Sequence, residues 1–268
     1  MRHPVTIACM VVCAAFVLVA ALGPAILPRD PLAQSFLARL KPPSAEYWFG
    51  TDRYGRDVFS RVLLGTRWSL LLGLSAPLIA GVIGTVIGAL AGFYGGWFDR
   101  IAGRLADLLM AFPSLLLGIL LAAALGPGFG NLIAAVAFAF LPRFIRVARA
   151  STLTVREQLY IEAAFAVGER PWRIVLRHVL PNIAGPMIVV GTLWIATAIR
   201  IEATLSFIGL GVQAPQPSWG NIIRDGLTNI LGSPWPVVMT GLTLTLCVLG
   251  FNILGDALRD RIDPDMRE

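Results

Sequence analysis

The chain has 268 residues, of which 56% are apolar and only 14% are charged, and its mean hydropathy is +0.74. Soluble domains carry about 25% charged residues, so this chain has too few charges to cover a soluble core of its size. The composition also argues against a disordered chain, and the continuous apolar runs argue against a β-barrel, whose strands alternate apolar and polar residues. An all-α, polytopic integral membrane protein remains.

The net charge of the chain favours a membrane surface over nucleic acid as its partner. A formal charge of +6 and a pI near 9.9 are typical of positive inner loops that meet anionic lipid headgroups. No basic cluster is interleaved with stacking aromatic residues, so nucleic acid is not expected. Cys9, Cys13 and Cys247 lie inside apolar runs, which argues against a disulfide framework.

Charge-free runs long enough for a bilayer core of about 30 Å predict six transmembrane helices. Their approximate ranges are 5–27, 68–97, 104–125, 131–149, 183–204 and 236–255. The first is interpreted as a retained helix, not a signal peptide, and a glycine- and proline-rich turn separates the third from the fourth. The chain thereby divides into an N-terminal helix with an outer loop and a short amphipathic helix, a core of five helices, and a tail, at 1–67, 68–258 and 259–268.

The second predicted helix carries glycines on one face. Gly81, Gly84, Gly88 and Gly92 recur at spacings of three or four residues, which places them on one stripe. Small residues at this spacing let another helix backbone approach closely. We therefore expect a helix-packing face, with a glycine-rich helix that has no special partner as the alternative.

The basic loop at 152–182 lies between the fourth and fifth predicted helices and should face the cytoplasm. Gly168 stands where glycine commonly ends a helix, and Pro171 stands where proline commonly begins one. An apolar stripe follows from Trp172 and is expected to stop at Pro181. This helix–glycine–helix elbow is either an amphipathic element resting on lipid or a docking element for a cytoplasmic partner.

One motif in this elbow resembles a known family. Glu162-Ala163-Ala164, Gly168 after three further residues, and the closing Leu180-Pro181 resemble the "EAA" signature of binding-protein-dependent ABC importer permeases. The usual pattern is EAA-x3-G-x9-I-x-L-P, and the chain departs from it at His178, where isoleucine is usual. The dipeptide, oligopeptide and nickel branch of the family often has histidine there.

Three further segments resemble the same branch, so the resemblance covers nearly the whole chain. Residues 49–61 are similar to its first outer loop, 205–220 to its last outer loop, and 255–264 to its C-terminal tail. The resemblance points to the C-type permease of a dipeptide or oligopeptide importer, with the type I ABC importer fold. It implies a bacterial inner-membrane location with both termini in the cytoplasm, which a weak excess of basic residues on the inner side also favours.

The resemblance implies a complete set of partners. These are a homologous B-type sister permease, two cytoplasmic ATP-binding subunits, a periplasmic or lipid-anchored solute-binding protein, and membrane lipid. In such importers the elbow inserts into a groove on the ATPase, and Glu162 either pairs with an arginine there or caps local backbone. The implied coupling residues are Glu162, Ala163, Ala164, Gly168, Pro171, Trp172, Leu180 and Pro181.

The residue inventory argues against an enzyme. The only lysine is Lys41, so the G-x4-G-K-[ST] loop that cradles nucleotide phosphates is not present. His3 and His178 are the only histidines and are far apart, and no G-x-S-x-G nucleophile turn occurs. We therefore expect no catalytic residue, no metal and no cofactor in this chain, with ATP and Mg²⁺ bound by the partner subunits.

Several charged and aromatic residues near the membrane are candidates for a role in gating. Arg104 and Asp107 are expected to form a structural i,i+3 ion pair, with a gating role as the alternative. Glu202 is a candidate for the pathway or its gate. The apolar stretch that contains Phe207, Leu210 and Trp219 is expected to dip back toward the pathway as part of an outer gate, although Trp219 is equally typical of an interfacial anchor.

The first outer loop concentrates charge within ten residues. The alternatives are a self-satisfied polar turn that leads into an amphipathic helix, which we favour, and a surface for the binding protein or the sister permease. The residues concerned are Asp52, Arg53, Arg56, Asp57 and Arg61.

The expected function is ATP-driven import of dipeptides or oligopeptides by alternating access, with nickel, glutathione or another small solute as the alternative cargo. A stand-alone channel or secondary transporter is a more distant alternative, which buried acids at mid-span and an internal repeat would favour. Neither feature is visible in the sequence.

Overall fold

The computed structural model describes residues 4–262, and these residues form helices without any strand. The helices in chain order are α1 (Pro4–Ile26), α2 (Val58–Tyr94), α3 (Gly96–Met110), α4 (Ser114–Leu125), α5 (Phe129–Arg156), α6 (Leu159–Ala166), α7 (Pro171–Ile174), α8 (Leu180–Phe207), α9 (Trp219–Leu227) and α10 (Trp235–Ile262). Two segments that were part of the sequence predictions, Met1–His3 and 263–268, lie outside the described residues.

Five helical stretches within 4–262 are long and apolar enough to cross a membrane, and a sixth arises if α3 and α4 together form one bent span. This confirms an all-α, polytopic protein. The prediction of one continuous helix over 104–125 is wrong, because this range is divided between α3 and α4, which meet at an angle of 94°. Pro113 stands directly before α4. A proline disfavours helical backbone in the residue before it, so the helix breaks there.

The second membrane helix begins earlier than predicted. The short amphipathic helix expected before residue 68 is the first part of α2, which is 37 residues long. Its start is set by Asp57, whose carboxylate accepts hydrogen bonds from the Ser60 backbone N–H at 2.9 Å and the Ser60 hydroxyl at 2.6 Å. An acidic N-cap of this kind satisfies a free N–H group, and its negative charge interacts favourably with the positive end of the helix dipole. The preceding loop holds only a 3₁₀ turn, Phe36–Ala38.

The glycine face of α2 packs against α5, as the spacing predicts. A Cβ atom built on Gly84 would lie 2.5 Å from the Cβ of Phe144, and one on Gly92 would lie 2.8 Å from the carbonyl oxygen of Arg149. Gly88 has equally little room, and Gly81 faces the ring of Phe144 at ordinary van der Waals distance. Glycine at these positions therefore lets the two backbones touch, and this contact forms the centre of the larger apolar core.

A second apolar cluster joins α1, α2, α8, α9 and α10 around the indole of Trp219. Cys13 and Cys247 are buried in it and, like Cys9, are free thiols, so they act as packing residues. The final helix continues to Ile262, so the predicted tail at 259–268 begins as helix.

Candidate coupling site and polar network

The elbow after α5 is built by its glycine. At the end of α6 the Gly168 N–H donates to the Phe165 carbonyl oxygen at 3.0 Å, and the Glu169 N–H donates to that of Ala164 at 3.0 Å. This pair of hydrogen bonds is the Schellman motif, which requires a left-handed residue at its centre. Gly168 has φ of +77° and open space around its Cα, so the backbone conformation, not crowding, is what demands glycine.

One side of the elbow packs against the larger core, and the other side is exposed. Ile161, Ala164 and Ile174 are buried in the larger core, and the ring of Phe165 stacks on that of Phe93, near the end of α2, at 5.9 Å between centroids. Leu159 and Val167 are about four-fifths exposed, at 80% and 83%. An exposed apolar surface whose opposite side is packed into the core is typical of a docking site.

The structure divides the predicted coupling residues between the two sides. Glu162, Ala163, Gly168, Pro171 and Trp172 are exposed, whereas Ala164 belongs to the buried side. Within residues 4–262 no N–H group donates to the Glu162 side chain, which favours pairing with a partner over capping of local backbone. Its carboxylate remains available to a partner.

The second arm of the elbow does not stop at Pro181, contrary to expectation. It runs from α7 through one wide π-helical turn, Val175–Val179, into α8, so Pro171–Phe207 is one helical stretch. The Leu180 N–H bonds to the Val175 carbonyl oxygen five residues back. This wider turn precedes a proline that cannot donate a hydrogen bond, and such π turns commonly occur at functional sites.

A side-chain pair that the sequence reasoning missed also fixes the elbow. His178 Nε2 lies 3.2 Å from a carboxylate oxygen of Glu169. This contact links the turn after Gly168 to the π-helical turn. The histidine that departs from the family pattern thus has a local structural role.

At the end of α8 remote from the elbow, the side chain of Glu202 is completely buried. Its carboxylate accepts hydrogen bonds from the hydroxyls of Ser69, at 2.6 Å, and Ser206, at 2.7 Å. Ser206 in turn accepts from the Val212 N–H at 3.2 Å. Glu202 therefore links α8 to α2 and to the loop before α9. This hydrogen-bond network joins residues that are far apart in the chain, so it was not predictable from the sequence.

Trp219 is not an interfacial anchor, because its side chain is fully buried. Its Nε1–H donates to the Val62 carbonyl oxygen at 3.2 Å, and its ring meets Phe16 edge-on. Of the other gate candidates, Phe207 is exposed and Leu210 is partly buried against the larger core. An apolar cleft of about 590 Å³ between α2, α5 and α8 is lined by none of these four predicted pathway residues.

We expect Glu202→Leu to destabilise the protein, because it leaves the Ser69 and Ser206 hydroxyls without their acceptor. An unsatisfied buried polar group costs about 1–3 kcal/mol. Glu202→Gln preserves the shape and an acceptor oxygen, so it should stay close to wild type. Thermal unfolding of the purified chain in detergent measures the difference, and equal melting temperatures for the two variants would contradict the assigned role.

The charged outer loop forms a network centred on Asp52, which favours the interpretation as a polar turn. Asp52 accepts from the Arg56 Nε at 2.6 Å and from the backbone N–H of Tyr54 at 2.8 Å, and Arg61 lies 3.8 Å from it. Asp225, near the end of α9, joins the network at 3.7 Å from Arg56, which was not predictable from the sequence. Two segments far apart in the chain are thus tied together.

The predicted ion pair of Arg104 with Asp107 is wrong. Within the described residues Asp107 pairs with Arg146 of α5, and Asp99 pairs with Arg149 through two hydrogen bonds. Arg146 approaches the Asp107 carboxylate from across the interface between α3 and α5, so a partner on another helix replaces the local one.

Together these features define a class of protein: a polytopic helical membrane component with an exposed elbow mounted on a spanning helix. Residues 84–268 match the family model described as "Binding-protein-dependent transport system inner membrane component". The chain belongs to this family, which confirms the resemblance seen in the sequence.

Relatives with assigned names match over most of the chain. The dipeptide transport system permease protein DppC of Alkalihalophilus pseudofirmus is 41% identical over 266 residues, which cover 99% of this chain and 88% of DppC. The probable D,D-dipeptide transport system permease protein DdpC of Escherichia coli is 42% identical over 97% of this chain and 88% of its own length. The glutathione transport system permease protein GsiD of Escherichia coli is 44% identical over 84% of this chain and 74% of GsiD.

Proposed function

We propose that the chain is the permease subunit of an ATP-driven ABC importer that carries dipeptides or oligopeptides across the bacterial inner membrane. The observation that supports this most is the exposed elbow at the start of the continuous helix Pro171–Phe207, in a member of the binding-protein-dependent family. A surface mounted in this way transmits movement from a docked partner into the membrane.

The proposed assembly contains a homologous sister permease, two cytoplasmic ATP-binding subunits and a solute-binding protein outside the membrane. ATP and Mg²⁺ are bound by the ATP-binding subunits. Both termini and the elbow face the cytoplasm. The basic residues of the elbow, among them Arg170, Arg173 and Arg177, support this orientation.

Peptides are the proposed cargo because the relatives named for dipeptides match nearly the whole chain. Glutathione is the second candidate, since the glutathione permease is equally similar over a shorter stretch. Glutathione is itself a small peptide, so both candidates share a charged backbone with terminal carboxylates. The proposal is thus a carrier of small peptides.

The proposed mechanism is alternating access driven from the elbow. Closure of the ATP-binding subunits moves the docked elbow, and the helix Pro171–Phe207 carries this movement to the opposite side of the membrane. There Glu202 connects α8 to α2 and to the loop before α9. ATP and substrate each shift the equilibrium only as far as they bind one state more tightly than the other.

Copurification tests the proposed assembly. The chain is expressed with its genomic neighbours, carries the only affinity tag and is extracted in mild detergent. We expect a second permease and two subunits with nucleotide-binding loops to copurify. Recovery of this chain alone, as a stable homo-oligomer under conditions that preserve known complexes, would favour a channel or secondary transporter.

Glu162→Arg should reduce ATP-driven uptake at least about tenfold, the factor that corresponds to about 1.4 kcal/mol of lost docking energy. The side chain is exposed and makes no hydrogen bond or ion pair within residues 4–262, so insertion and folding should be unchanged. Glu157→Arg is the matched control, since Glu157 is also exposed and lies at the end of α5, ahead of the Glu162-Ala163-Ala164 motif. Equal uptake by both variants would argue against docking through Glu162.

A further inference from the structure

A charged cavity of about 370 Å³ lies between α3 and α5. Two carboxylates and four guanidinium groups line it, so it carries an excess of positive charge. The ionisable residues are Asp99, Asp107, Arg100, Arg104, Arg146 and Arg149.

The two ion pairs across this cavity show how α3 is oriented. From Asp99 to Asp107 the chain advances about 12 Å along α3, whereas the partners Arg149 and Arg146 are separated by about 4.5 Å along α5. The two helices are therefore not parallel, and α3 also lies at 94° to α4. As α3 and α4 together form the sixth, bent span, α3 occupies the surface end of that span.

The faces of α3 are those of an interfacial helix. Ala102 and Ala106 are buried towards the protein. Trp97, Ile101 and Leu108 are more than half exposed and share one stripe of the helix. Arg104 lies on the same stripe, between Ile101 and Leu108, and Arg100 lies beside it. Apolar and basic side chains that meet on one face are typical of a helix that rests in the headgroup region of a bilayer.

The cavity lies on the same side of the membrane as the elbow. The helix α3 follows directly on the end of α2, where Phe93 stacks on Phe165 of the elbow. Two of the cavity's arginines are engaged by aspartates. Within residues 4–262, Arg100 and Arg104 make no ion pair, and Arg100 donates to the Gly96 carbonyl oxygen at 3.3 Å.

We propose that this cavity binds the headgroup of an anionic phospholipid, with the phosphate at Arg100 and Arg104 and the acyl chains along the stripe of Trp97, Ile101 and Leu108. The excess of guanidinium groups supplies the charge complementarity, and basic pockets beside membrane helices on the cytoplasmic side are suited to such headgroups. The adjoining apolar stripe favours a lipid over a free phosphate ion. This inference concerns a lipid site and does not rest on the proposed transport activity.

Native mass spectrometry of the full chain, with whatever subunits copurify, tests the proposal. The protein is exchanged into mixed micelles that contain phosphatidylglycerol and phosphatidylcholine, and the retained lipids are counted. We expect wild type to retain phosphatidylglycerol preferentially, and the R100Q/R104Q variant to retain about tenfold less of it. Inorganic phosphate at millimolar concentration should not displace the lipid.

The matched control is R259Q/R261Q, which removes the same charge from exposed positions at the end of α10, on the same membrane side. It should retain lipid as wild type does. Unchanged retention in R100Q/R104Q, equal losses in both double variants, or displacement by inorganic phosphate would each overturn the proposal.

A measurement on wild type avoids any dependence on how the variants fold. Photoactivatable phosphatidylglycerol should crosslink predominantly to α3, and the equivalent phosphatidylcholine should not. Crosslinks spread evenly over the spanning helices, or equal labelling of α3 by both lipids, would overturn the proposal.

Discussion

Gly168→Pro is expected to reduce ATP-driven uptake by about 30-fold or more, the factor for about 2 kcal/mol of lost coupling. Proline fixes φ near −65°, whereas the structure holds Gly168 at +77°. Proline also removes the N–H group that donates to the Phe165 carbonyl oxygen. The Schellman motif then cannot form, and α6 loses its orientation relative to the helix that begins at Pro171.

Gly168→Asn is the matched control, because asparagine tolerates the left-handed conformation and keeps the N–H group. No atom within 4 Å would obstruct its Cβ. We expect it to retain most of the wild-type uptake while both variants insert equally. Uptake is measured in proteoliposomes that contain the complete complex. Wild-type uptake by the proline variant would show that the elbow's shape does not matter for coupling.

Gly88→Leu is expected to have the largest effect on folding, lowering the yield of monodisperse protein to about a tenth or less. A Cβ at this position would lie 2.7 Å from the Cβ of Ala148 and 2.9 Å from the Arg149 backbone nitrogen. These neighbours belong to the α5 backbone or lie next to it and cannot rotate away. Overpacking of this kind costs about 1–3 kcal/mol or more, and the contact lies at the centre of the larger core.

Gly241→Leu in α10 provides the comparison, because no atom lies within 4 Å of the position its Cβ would take. The same change in side-chain volume is therefore accommodated there. Fluorescence-detected size-exclusion chromatography of tagged variants gives both yields. Equal yields for the two leucine variants would show that the close contact of α2 with α5 is not required for folding.

Features set by local rules were predictable from the sequence. The glycine stripe from Gly81 to Gly92 follows from helical spacing, and the positions of Gly168 and Pro171 follow from the conformations these residues allow. These rules act within a few residues of the chain. They therefore apply before any tertiary contact is known.

Features that depend on distant segments were not predictable. Asp107 had a plausible partner one turn away in Arg104, but Arg146 of α5 occupies that role. Glu202 lies in a spanning helix, and only the positions of Ser69 and Ser206 show that it is a buried structural group. Pro113 is a local indication of the bend before α4. The apolar residues on both sides of it nevertheless favoured the prediction of one continuous helix.

Peptide uptake into proteoliposomes that contain the complete complex tests the central claim most directly. A labelled dipeptide and the cognate solute-binding protein are supplied on one side, and ATP with Mg²⁺ is supplied on the side of the ATP-binding subunits. The account predicts accumulation against a gradient with ATP and none with a non-hydrolysable analogue. Uptake of equal size by this chain without ATP or ATP-binding subunits would contradict it and establish a channel or secondary transporter instead.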